Sequence, residues 1–136
     1  MAQYNQIVAL PILQITVYNG TGTDIAANMC VALDSSYAHA TYGCPGVKLT
    51  TGDTDFFGVT ATIIPNGKTG TVTLEGIVDV ICSAAITYGT TLSVMSDSAG
   101  KVLARTTGLR SAGLPLSTTA GTGEHVRVYL GGKDAT

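Results

Sequence analysis

With 136 residues and 13.9 kDa the chain has the size of one domain, long enough to bury a core without disulfides or metal. Seven Lys and Arg against nine Asp and Glu, a net charge of -2 and a pI near 5.4 exclude nucleic-acid binding through a basic field. A hydrophobic share of 45% and a mean hydropathy of +0.33 exclude a disordered chain. Charged residues, at 12%, reach only about half the usual share. They are too few to clothe the whole surface, so part of it is expected to be covered by another chain.

The first charged side chain is Asp24. Ile7 to Tyr18 is nevertheless too short for a membrane span and is broken by Pro11 and Gln14, and no Lys or Arg precedes it as a secretory n-region requires. Gly76 to Met95 contains Asp79 and Gly89, so neither stretch reads as a transmembrane helix. Met1 to Ile12 reads instead as an extended N-terminal arm, ahead of a β core over residues 13–132 and a short tail over residues 133–136. Within the arm, Ile7, Val8, Leu10, Pro11 and Ile12 are the candidate interface residues, and the arm is expected to order against a neighbouring subunit.

Strand periodicity follows along the chain. Ile15 and Val17, then Met29, Val31 and Leu33, then Phe57, Val59, Ala61 and Ile63 alternate with polar or small residues. The clearest run is Thr71 to Ile81, where Val72, Leu74, Val78 and Val80 are expected on one face and Thr71, Thr73, Glu75 and Asp79 on the other. Leu92 and Val94, Val102 to Arg105, and Val126, Val128 and Leu130 against Arg127 and Tyr129 complete the series. Thr and Val dominate these runs, and β-branched side chains favour extended backbone. Turn signals separate them, among them Asn19-Gly20, Gly43-Cys44-Pro45-Gly46, Pro65-Asn66-Gly67 and Asp97-Ser98-Ala99-Gly100. At most, Ile25 to Asn28 and Ser83 to Thr87 form single helical turns. The fold class is all-β: a small compact β-barrel or sandwich with short strands and Gly-rich turns. A faint echo sets Gly58-Val59-Thr60-Ala61 before Gly70-Thr71-Val72 as Gly113-Leu114-Pro115-Leu116 stands before Gly123-Glu124-His125-Val126, which suggests two related hairpins.

The chemistry-bearing residues do not assemble into a motif. Gly67-Lys68-Thr69 lacks the earlier glycine of a P-loop, where this chain has Thr62, and leads into a strand, so it reads as a hairpin tip. Asp53 and Asp55 offer two carboxylates where a hard cation wants six or more oxygens, and they read as turn residues. Cys30, Cys44 and Cys82 stand at no metal-ligand or disulfide spacing and, with only His39 and His125 in support, read as free thiols. Neither histidine has a nucleophile at a telling distance. No enzyme, cofactor or metal is therefore expected.

The order Asp53 to Phe57, Gly58-Val59, Gly70 to Val78, Ala85 to Leu92, Gly100-Lys101-Val102, Ala112-Gly113-Leu114 and Glu124 to Leu130 resembles the capsid cement, or head decoration, proteins of tailed bacteriophages, over roughly Ile25 to Gly132. The resemblance implies a β-rich virion protein, made in the host cytoplasm, that binds the major capsid protein on the outside of an assembled shell and stabilises it without catalysis. It also implies a homo-oligomer, a trimer before a dimer, that touches neither nucleic acid nor membrane. Met1 to Ile12 and the polar run Gly108 to Thr122 depart from that pattern and bear on how the capsid is held. The competing class is another structural or binding β module, such as a surface-displayed or pilus-like subunit. The absence of Trp argues against a sugar-binding platform.

Overall fold

The computed structural model describes residues 10–37 and 43–131, of which Leu10 is described by its backbone alone. These residues form nine strands and no helix: β1 Leu10–Asn19, β2 Cys30–Leu33, β3 Gly46–Leu49, β4 Gly58–Thr60, β5 Thr69–Ile81, β6 Val94–Ser96, β7 Val102–Ala104, β8 Leu114–Pro115 and β9 His125–Tyr129. The fold is all-β, as the periodicity requires. Neither expected helical turn forms: Ile25 bridges Ile64 and Ile86 bridges Thr119 in antiparallel β-bridges.

Seven strands share one sheet in the order β1-β3-β2-β4-β5-β9-β8, and β6 pairs with β7 apart. Because β1 also pairs with β5, the sheet rolls back on itself. The expected barrel is not closed, since β1 meets β3 only at Tyr18↔Gly46 and Asn19↔Val47. At its start β1 carries register shifts between Pro11 and Leu13 and between Leu13 and Gln14. Proline cannot donate to a ladder, so Pro11 fits at such an irregularity beside a free edge.

The long strand β5 serves two cores. Val72 lies in one cluster with Val17, Ile25, Met29, Val31, Val47 and Ile64, and Leu74 packs against it. Val78 and Val80 lie in the other, with Cys82, Ile86, Val94, Val102, Val126 and Val128, while Ile81 turns to the first. The four apolar residues expected on one face are thus divided. The cause is Gly76, whose φ of 125° is open to glycine and strained for other residues. It shifts the alternation of the strand, so the even positions face one core before it and the other core after it.

This division marks an internal duplication. Strands β1, β2, β3, β4 and the first half of β5 correspond in order to the second half of β5, then β6, β7, β8 and β9. The registers agree pair for pair. Val17↔Gly70 matches Val80↔Val126, Val31↔Leu49 matches Val94↔Ala104, and Thr60↔Val72 matches Pro115↔Val128. The parallel contact Asn19↔Val47 matches the bridge Cys82↔Val102. Loop hydrogen bonds repeat as well: Thr50 N to Cys30 O with Arg105 N to Ser93 O, Phe57 N to Val31 O with Ala112 N to Val94 O, and Gly67 N to Asn19 O with Gly123 N to Cys82 O. Val17, Ile25, Val31, Val47 and Val72 are answered by Val80, Ile86, Val94, Val102 and Val128, all buried. Each such side chain contributes roughly 1.5–3 kcal/mol when fully buried. The equivalent valines therefore hold each unit's core in the same way.

The sequence echo is half of this relation. Gly58 and Gly113 are equivalent, but Gly123 answers Gly67, not Gly70. Both of these turn glycines have positive φ, 76° and 88°.

Candidate docking surface

The two units differ in how far their outward rows are exposed. In the first unit Val59 pairs with Thr73, and Thr73 pairs with Gln14 of β1, whose Nε2 donates to Thr73 Oγ1 over 3.0 Å. Val59 and Thr73 are each only 1% exposed, and Cys30, Phe56 and Val59 join the core of the second unit. The equivalent row of the second unit is Leu114↔Tyr129 and Tyr129↔Ile77. Leu114 is 43% and Tyr129 39% exposed.

The register continues this row onto β1, where Leu10 stands opposite Ile77 and Pro11 opposite Gly76. Of the candidate interface residues, Leu10, Pro11 and Ile12 therefore begin β1, and Ile12 is 67% exposed beside an exposed Leu13. Ile7 and Val8 lie outside the described residues. Leu114, Tyr129, Ile77 and the start of β1 make one uncharged strip across four strands. A groove of about 210 Å³ adjoins it, lined by Pro11, Gln14, Asn28, Thr60, Thr73 and Ile77 among others.

The edge of β1 beyond this strip is open. Asn19 N donates to Lys68 O on the β5 side, and Tyr18 N donates to Pro45 O on the β3 side. Carried back along the pleat, that alternation turns the backbone groups of Gln14 and Thr16 away from β5, with no strand against them among the described residues.

One ion pair borders the strip. Arg127 Nε donates to Asp79 Oδ1 and Nη2 to Asp79 Oδ2, each at 2.8 Å, in a bidentate fork across β5 and β9. The Arg127 hydrogen bonds hold the Asp79 carboxyl below its usual range against partial burial, with the charges of Arg127 and His125 adding. Both charges are spent on each other.

The remaining chemical candidates serve the fold. Asp55 accepts from the N–H and the hydroxyl of Thr51. Burial pushes its carboxyl up, and these hydrogen bonds outweigh that and hold it below its usual range. Asp53 Oδ2 accepts from Arg110 N at 2.6 Å, tying the second unit to the first. The two carboxylates thus serve different partners. Cys30, Cys44 and Cys82 are buried and none is in a disulfide, and burial pushes the Cys30 thiol far up. Cys82 Sγ donates to Gly121 O at 3.0 Å. His125 lies exposed at the start of β9 and His39 falls outside the described residues. Lys68 is exposed beside the Gly67 turn, and β5 begins at the next residue, so the segment is a hairpin tip.

The sequence pattern points to Tyr129 as an outward residue of β9 but not to Leu114, because two residues of β8 are too short a run to read. The exposed row emerges only when the two units are compared.

The solved structure of the head fiber gp8.5 N base of bacteriophage phi29 is similar in fold, with a TM-score of 0.66 at 12% identity, over 91% of this chain and 98% of that one. No curated protein sequence matches the chain. The family model described as phage cement protein matches residues 12–130, which takes in all nine strands but the first two residues of β1. The chain belongs to the phage cement protein family.

Proposed function

We propose that this protein is a structural component of a phage virion that binds the outer surface of the assembled capsid through its major capsid protein, straddles joints between shell subunits and stabilises the shell without catalysis. Family membership over residues 12–130 carries this reading. The uncharged strip formed by Leu114, Tyr129, Ile77 and the start of β1 supports it, because an apolar contact tolerates salt that would screen a charged one. The protein works as a homo-oligomer, for which a trimer is the first expectation and a dimer the second. Met1 to Ile12, with Ile7, Val8, Leu10, Pro11 and Ile12, supplies part of the contact.

A ligand that prefers the assembled shell over free subunits must raise the shell's resistance to dissociation. The test is to add the purified protein to undecorated capsids and compare rupture temperatures. Decorated shells should rupture at higher temperature, and binding should change little between low and moderate salt. Equal rupture temperatures, or equal affinity for free shell subunits, would refute the reading.

A further inference from the structure

The second unit reaches the first through the turn between β6 and β7. Cys30 N donates to Gly100 O at 2.7 Å, Thr50 Oγ1 to Asp97 O at 2.8 Å and Ser96 Oγ to Gly52 O at 2.6 Å. The turn also lies on Met29 and Leu49: a Cβ on Gly100 would stand 3.2 Å from Met29 Cε and 2.8 Å from Leu49 Cδ2. Met29 is accordingly only 9% exposed.

The second unit builds the same seat. The register sets Ser93 at the equivalent of Cys30 and Arg105 at the equivalent of Thr50, since Val94↔Ala104 answers Val31↔Leu49, and Leu92 then answers Met29. Arg105 N donates to Ser93 O at 3.0 Å as Thr50 N donates to Cys30 O at 3.3 Å. Among the described residues no turn fills this seat: Leu92 is 75% exposed, Ser93 N has no acceptor, and Arg105 Nη2 is buried without one. Arg105 Nε is held by Leu109 O. A buried charged donor that lacks an acceptor is costly, and an incoming acceptor recovers that cost.

A second copy of the chain does not suit the seat. Its equivalents of Asp97 O and Gly100 O are Asp34 O and Pro45 O, because Leu33↔Val47 answers Ser96↔Val102. Those oxygens already accept from Tyr37 N at 3.1 Å and Tyr18 N at 2.9 Å. The seat also carries charge where that of the first unit is neutral. Arg105 stands in place of the Thr50 hydroxyl, and the one ion pair among the described residues is Asp79–Arg127. A fitting occupant therefore brings a carbonyl for Ser93 N, a carboxylate for Arg105 and an apolar contact for Leu92.

We infer that the Leu92–Ser93–Arg105 seat takes an acidic turn of a shell subunit, as the Cys30–Thr50 seat takes the turn from Asp97 to Gly100. This deepens the capsid reading and rests on it. A buried ion pair is screened far less than an exposed one, so the contact keeps the weak salt dependence expected of decoration.

The test compares wild type with Arg105→Met, which keeps the stem and removes the guanidinium, and with Leu92→Asp, which sets a like charge against the acidic turn. Neither side chain belongs to a core cluster, so both variants should fold, which circular dichroism and thermal melting check. On undecorated capsids Arg105→Met should bind about thirtyfold more weakly than wild type, the loss expected for one partner of a buried charged hydrogen bond. Leu92→Asp should weaken binding as well. In the wild-type chain the Ser93 amide should exchange its hydrogen quickly in the free protein and slowly on decorated shells.

Wild-type affinity in either variant, or a Ser93 amide that exchanges equally fast in free and bound protein, would overturn the inference and leave the capsid reading standing. A wild-type chain that binds no capsid would overturn both. A Ser93 amide already protected in the free protein, in an oligomer that dissociates in Arg105→Met, would give the seat to a second copy and refute the shell as its occupant.

Discussion

Gly58 and Gly113 bear the same constraint in the two units. A Cβ on Gly58 would stand 2.6 Å from Val72 Cγ1 and 2.7 Å from the Thr73 carbonyl oxygen. One on Gly113 would stand 2.7 Å from Val128 Cγ1 and collide with the Tyr129 carbonyl oxygen. Val72 and Val128 are equivalent, and so are Thr73 and Tyr129. Each glycine lets a short strand lie close against a longer one.

Alanine at either site should destabilise the protein, because the obstacle includes backbone that cannot move without disturbing the ladder, and overpacking costs about 1–3 kcal/mol. The cost should be larger at Gly58. There β4 is held between β2 and β5, whereas β8 is a two-residue strand at the end of the sheet and can shift outward. Urea unfolding of the two variants gives the comparison.

The strands that could be read from the sequence are those whose alternation reports burial. Val126 and Val128 against Arg127 and Tyr129 define β9 because one face meets the core and the other does not. Strand β3 could not be read: Gly46 belongs to what looks like a turn, and the strand owes its extension to β1 and β2 on either side. In β1, Pro11 and Gln14 hide a strand that reaches back to Leu10, since its register shifts break the period. The duplication was legible only at Gly58 and Gly113. Elsewhere it rests on hydrogen-bond registers shared by unlike residues, such as Asn19 and Cys82, and the β2–β3 and β6–β7 connections differ in length. The candidate docking row was hidden for the same reason.

Gly76 offers a second test. Its φ of 125° sits where a Cβ is strained, and its place at the junction lets β5 present Val72 to one core and Val78 to the other. Gly76→Ala should cost about 1–3 kcal/mol through backbone strain. The loss should be shared by both units, so unfolding should remain a single transition, with near-identical midpoints by fluorescence and circular dichroism. Two separated transitions would show that the units fold independently and that β5 does not couple them.

The Asp79–Arg127 pair gives a pH-dependent expectation. Asp79 has a folded pKa below its usual 3.8, so its contribution is fully present above that value and is lost as pH falls through the lower folded one. Both side chains are partly exposed, at 32% and 27%, and water screens the pair to about 0.2–1 kcal/mol. Asp79→Asn should accordingly lower stability by that amount at neutral pH, and the gap to wild type should close below pH 3.8. A gap that persists unchanged in acid would assign the effect to packing of the side chain and not to its charge.

Asn19 and Cys82 occupy one equivalent place with unlike side chains, and their replacement should separate what each contributes. Asn19 is fully buried and uses its whole amide: Nδ2 donates to Thr23 O and Ile64 O, both at 2.8 Å, and Oδ1 accepts from Thr21 N at 3.0 Å and Thr21 Oγ1 at 2.7 Å. Alanine there leaves the Ile64 carbonyl without that donor and frees the Thr21–Thr23 turn. A buried group that loses its partner costs about 1–3 kcal/mol, so Asn19→Ala should fall at or above the upper end. Cys82 is equally buried, but its sulfur is a weak partner for Thr119 Oγ1 and Gly121 O, and both of those loops keep backbone bonds of their own. Cys82→Ala should therefore cost less, chiefly the small cavity left by the sulfur. Denaturant midpoints for the two variants decide the matter, and a larger loss at Cys82 would mean that the thiol, not the amide, is the stronger tie at this position of the duplicated unit.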